Sequence, residues 1–155
     1  MKKILLLVVA VVFATSAFAQ DYKNSIGLRL GYGAELQYER HFSEKNYLEL
    51  NLGLNGFAGD VFLNGLYNWN CCEWNWTPKA GKWFLSAGVG ASVGMWHYDE
   101  NKLGAQVGVA GNVAFGIRFN KPVTLSLDYR PTIYFLHNAW GNGFTGFGLT
   151  CTYNF

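Results

Sequence analysis

Long hydrophobic runs are nearly missing from this chain of 155 residues. Beyond the stretch from Ile4 to Phe13, nothing approaches the roughly 18 consecutive apolar residues that a membrane-spanning helix needs, which excludes a helical membrane protein. A surplus of charge is missing as well. Charged residues are 14% of the chain, and once Lys2 and Lys3 are set aside with a leader, ten basic residues face ten acidic ones. A net charge near zero removes the electrostatic basis for a nucleic-acid partner. Cysteines are few and odd in number: Cys71 and Cys72 are adjacent and Cys151 is far away, so no disulfide framework or redox state follows from them. None stands after the leader, where a lipoprotein anchor would be.

What is present begins with that leader. Lys2 and Lys3 precede the apolar run, and Ala17-Phe18-Ala19 offers a small-x-small cleavage site before Gln20, so residues 1–19 read as a secretory signal peptide. Residues 20–155 leave room for one domain, near the lower size limit of an eight-stranded transmembrane barrel. Aromatics at 17% and 19 glycines suit strands with rings at membrane interfaces and little bulk inside.

Strand periodicity supports this. In a barrel, alternate residues face opposite walls, so one parity should be apolar and the other polar or small. Ile26, Leu28, Leu30 and Tyr32 alternate with Gly27, Arg29 and Gly31, ahead of a turn at Gly31–Gly33. Leu36 and Tyr38 alternate with Glu35, Gln37, Glu39 and His41, and Leu48, Leu50, Leu52 and Leu54 with Glu49, Asn51, Gly53 and Asn55. A fourth segment, Asp60 to Trp69, is less regular and turns Phe62 and Leu66 inward. A connection is then expected from Asn70 to Gly81, anomalously long for the periplasmic side of such a barrel. Trp83 to Met95 follows, with an inner face of Ser86, Gly88, Gly90, Ser92 and Gly94 that opposite strands must fill. Val107 to Phe119 and Val123 to Tyr129 keep apolar parity outward, with Arg118, Asp128 and Arg130 inward. Leu136 to Asn142 forms the last loop. The closing strand, Phe147 to Phe155, alternates large apolar residues with small or polar ones and ends on Phe.

An apolar outside around a polar inside inverts the lipocalin pattern and argues against a secreted lipid carrier. A soluble β-sandwich is the minority alternative. The expected fold is therefore all-β: an eight-stranded antiparallel up-and-down transmembrane β-barrel. Through Gly27-Leu28-Arg29-Leu30-Gly31-Tyr32-Gly33, Tyr47-Leu48-Glu49-Leu50-Asn51-Leu52-Gly53, Ala87-Gly88-Val89-Gly90-Ala91 and Leu127-Asp128-Tyr129-Arg130-Pro131, the chain resembles small outer-membrane β-barrels of Bacteroides-type bacteria and, more distantly, the OmpA and OmpX barrels. The resemblance implies residence in a Gram-negative outer membrane, contact with its lipid and lipopolysaccharide, and recognition by the barrel assembly machinery through Tyr153 and Phe155. It supplies no catalytic residues and no cofactor.

The inward set holds Arg29, Arg118 and Arg130 against Glu35, Glu39, Glu49 and Asp128. An eight-stranded lumen is only wide enough for side chains, so these are expected to pair across it as a plug, with a narrow gated channel as the alternative. A lipid A deacylase or acyltransferase would need a nucleophile beside a base. His41, His97 and His137 are poor candidates: no serine lies within two residues of His97 or His137, and Ser43, two beyond His41, sits in a polar turn. Cys71-Cys72-Glu73 lacks the spacing of a zinc site. Tyr67, Trp69 and Trp83 at one end, and Trp96, Tyr98, Phe135 and Trp140 at the other, are expected to form two interfacial girdles, with a sugar-binding or adhesive platform at Trp96, Tyr98 and Trp140 as the alternative. The expected function is a non-enzymatic envelope barrel serving structure or surface interaction; the sequence does not fix its oligomeric state, with a monomer favoured.

Overall fold

The computed structural model describes residues 22–56, 60–99, 102–135 and 146–155, without the side chains of residues 55, 96–99, 102 and 103. The expected signal peptide, the last loop, Trp140 and His137 lie outside the described residues, as do the side chains of Trp96, His97 and Tyr98. Nine strands are described: β1 (Asn24–Leu30), β2 (Ala34–His41), β3 (Asn46–Asn55), β4 (Asp60–Thr77), β5 (Gly81–Asp99), β6 (Lys102–Phe119), β7 (Val123–Tyr129), β8 (Thr132–Tyr134) and β9 (Phe147–Asn154). They form one antiparallel sheet in the order β5-β4-β3-β2-β1-β9-β7-β6, and β5 also pairs with β6, so the sheet closes on itself as a barrel.

The count of nine rather than eight comes from Pro131. Proline cannot donate to a ladder, so the seventh stave breaks there. β7 pairs with Val113–Arg118 of β6 and β8 with Gly108–Ala110, while Gly111 N donates to Pro131 O at 2.8 Å and holds the break against β6. β7 and β8 thus share one position, and eight staves surround the lumen.

Tight turns at 43–45, 78–80 and 120–122 share one end with the start of β1 and the C-terminal Phe155, where Asn24 N donates to Phe155 O (3.0 Å) and Phe155 N to Asn24 O (2.8 Å). The long connection expected from Asn70 to Gly81 is not there. β4 runs on to Thr77, and only Pro78–Ala80 turn the chain into β5. Sequence alternation hid this because it fails at Cys71, which is an extra residue: Asn70 pairs with Ser86, but Cys72 with Leu85. A bulge of one residue flips the parity of everything beyond it, so Trp74, which would have pointed inward, shares the outer wall with its partner Trp83.

Burial is inside out relative to a soluble protein. Outward Leu28, Leu52, Val89 and Leu127 are 52–58% exposed, whereas inward Asn51, Asn68, Ser86 and Ser92 are fully buried. Leu66 is inward and fully buried, with its Cα against bare Gly90. On the same face of β5, Asn68 lies against Gly88, Tyr47 OH reaches Ser86 Oγ at 3.1 Å and Tyr134 OH reaches Ser92 Oγ at 3.3 Å.

Candidate functional site in the lumen

Five of the charged residues in the inward set meet in one buried layer across the lumen. Arg29 on β1 donates from Nε to Asp128 Oδ1 on β7 at 2.6 Å and from Nη1 to Glu35 Oε1 on β2. Arg130, just past the end of β7, donates to Glu35 Oε2 and to Glu49 Oε1 on β3, both at 2.6 Å. The order Asp128–Arg29–Glu35–Arg130–Glu49 alternates sign, so each arginine sits between two carboxylates. Asp128 and Arg130, two apart on one wall, do not pair with each other. All five side chains are at most 6% exposed.

Charges this deep are tolerated only when the remaining lone pairs are also met. Thr150 Oγ1 donates to Asp128 Oδ2 (2.7 Å), Asn51 and Asn68 donate to the two oxygens of Glu49 (each 2.8 Å), and Arg29 Nη2 donates to Gly146 O (2.7 Å). Sequence reading missed these neutral partners, although the parity of Asn51 and Asn68 already placed them on the same inner wall as Glu49. Space comes from glycine: a Cβ on Gly148 would lie 2.5–2.7 Å from the Arg29 guanidinium group. Gly148→Val is therefore expected to expel Arg29, strand Asp128 and lower stability by about 3 kcal/mol, read from urea unfolding of the refolded protein.

Glu39 and Arg118, expected in the same network, lie nearer the terminus-side end. Arg118 Nη1 donates to Glu73 Oε1 at 2.7 Å and Nη2 to Asn70 Oδ1 at 2.8 Å, with the guanidinium 4.3 Å over the Phe84 ring. The hidden extension of β4 explains why Glu73 escaped notice as a partner. Glu39 accepts from Gln37 Nε2 (2.7 Å) and lies 3.1 Å from His41 Nε2. His41 Nε2 is also 3.2 Å from Ser25 Oγ, which itself donates to Asn154 Oδ1 at 2.8 Å. This serine, histidine and glutamate are not arranged as a relay. The same ring nitrogen faces both Ser25 and Glu39, and the Ser25 hydroxyl gives its proton to Asn154 rather than to the imidazole.

The ion-pair layer divides the lumen. On its terminus side is a cavity of about 620 Å³, reaching from Glu49, Asp128 and Arg130 to the rim at Lys23 and Asn120; on the other is one of about 30 Å³, bounded by Arg29, Glu35 and Arg130.

Outside, aromatic rings collect at the terminus-side end. Tyr67 packs on Trp69 (5.0 Å) and Phe42 (6.4 Å), and Trp83 on Phe115 (5.4 Å) and Trp76 (6.1 Å), with Trp74 stacked on Trp76 at 5.2 Å. At the other end Tyr32 and Phe135 are exposed, and Tyr129 packs on Phe147 at 4.6 Å. The tips of both clusters face the same exterior as the apolar belt between them.

With this geometry in hand, comparison with solved structures finds the crystal structure of the N-terminal β-barrel domain of Pseudomonas aeruginosa OprF. The match has a TM-score of 0.52 at 15% identity and covers 88% of this chain and 100% of that one. The protein is thus an all-β antiparallel barrel with the fold of that domain. No family model and no curated protein matches the chain.

Proposed function

We propose that this protein is a transmembrane β-barrel of the bacterial outer membrane, delivered through a signal peptide cleaved after Ala19, with residues 20–155 as the barrel domain. The observation that carries the reading is the continuous outer belt of exposed Ile, Leu, Val and Phe around a closed ring whose lumen buries charge. In water that belt would be a large adhesive surface; in a bilayer it meets acyl chains, and closure leaves no strand edge unsatisfied. Its partners on this reading are outer-membrane lipid and lipopolysaccharide. Tyr153 and Phe155, the latter half exposed, would on this reading be the residues recognised by the barrel assembly machinery.

The role is structural or interactive rather than catalytic. The ion-pair layer blocks the lumen, and Ser25 is not activated by His41. Protein refolded in detergent is expected to run at different mobility in SDS gels before and after boiling, because a closed barrel resists SDS until heated. Identical mobility in every detergent would return the chain to a soluble β-domain.

A further inference from the structure

Glu39 and Glu49 are directly opposite each other in the β2–β3 ladder, and both face the 620 Å³ chamber. Like charges placed so repel. Glu49 is compensated by Arg130, but Glu39 meets no lysine or arginine among the described residues; its partners are the Gln37 amide and the His41 ring. Other basic groups lining the chamber do not make up the deficit. Arg118 and Arg130 are engaged by Glu73, Glu35 and Glu49, and Lys23 and Lys82 are exposed at the rim.

Four buried groups lining the same chamber have no hydrogen-bond partner: the donor Arg130 Nε, on the ion-pair layer itself, and three oxygens of residues only 2–3% exposed, Gln37 Oε1, Asn112 Oδ1 and Thr152 Oγ1. Two of them are fixed as acceptors, because Gln37 Nε2 is committed to Glu39 and Asn112 Nδ2 to Asn68 Oδ1 at 2.9 Å. The chamber therefore offers acceptors and uncompensated negative charge, the complement of a cation rich in N–H donors. A metal ion fits less well: no cluster of three or more His, Cys, Asp or Glu able to hold one exists among the described residues, and the space far exceeds a bare ion.

We propose that this chamber is a binding site for a linear aliphatic polyamine, with one ammonium group seated on Glu39 and the amide oxygens of Gln37 and Asn112 taking further N–H donors. Tyr47 and Phe84 line the same space and supply apolar wall for the methylenes. The test is titration calorimetry of spermidine into protein refolded in a zwitterionic detergent at low salt, with the boiled-versus-unboiled gel shift run on each sample so that a failure to fold is told apart from a failure to bind. One saturable site is expected, weakened at least about tenfold in Glu39→Gln, which keeps the side chain's shape but removes its charge. Glu44→Gln at the exposed rim should bind as the parent does. No saturable binding by heat-shifted protein, an unchanged affinity in Glu39→Gln, or an equal loss in Glu44→Gln, which would mean diffuse attraction to surface charge, would each overturn the proposal.

Discussion

Arg130→Ala is expected to cost about 3–5 kcal/mol of unfolding free energy, the largest effect of any single substitution in the barrel. The arginine joins Glu35 and Glu49; Glu35 keeps its pair with Arg29, but the removal leaves Glu49, 2% exposed, with no cation beside it. Thr132 and Tyr134, the next inward residues, are buried but carry no positive charge to replace it. Urea unfolding in lipid vesicles, followed by the mobility of unboiled samples, measures the loss. Pairing Arg130→Met with Glu35→Gln and Glu49→Gln should recover much of it, since neutral groups of similar size do not bear the desolvation cost of unpaired ions. A loss below about 1 kcal/mol in the single variant would mean the lumen is wet enough to solvate free carboxylates, and the blocked-lumen reading would fall with it.

Leu127→Arg is expected to cost about 2–4 kcal/mol in a bilayer. Leu127 lies on the outer wall between Phe115 of β6 and Leu149 of β9 and is 56% exposed. For a protein in water, a change at so exposed a position would stay within about 0.5 kcal/mol. The same leucine therefore gives opposite answers for the two solvents, and unfolding from vesicles against Lys121→Glu in a terminus-side turn isolates the effect of depth. A neutral Leu127→Arg would remove the membrane from the proposal while leaving the barrel intact.

Much of this fold was readable from alternation alone. Each of the seven charges expected on the inner wall lies there, because a strand allows only two directions for a side chain and the polar and apolar sets rarely mix within one. Reading failed where that rule breaks locally. The bulge at Cys71 shifted the parity of Trp74 and concealed half of the β4–β5 hairpin, and Pro131 split a stave in two. Both are single-residue events whose effect depends on the partner strand, which no local window contains.

The ion-pair layer shows the same division. Alternation put seven charges on the inner wall but could not choose partners among them. Arg29 and Asp128 are 99 residues apart, and Arg130 and Glu35 are 95 apart. Which strands face each other across the lumen, and at what height, depends on closure and stagger of the whole ring. Glu39 and Arg118 left the network for that reason: their strands place them closer to the rim. The sequence by itself determined the strands, the wall each side chain faces and the inverted distribution of polarity, because these follow from a two-residue period. Only the tertiary structure decided the pairing of charges, the height of the ion-pair layer and the chamber beneath it, because those depend on distances between strands that the chain brings together only when the barrel closes.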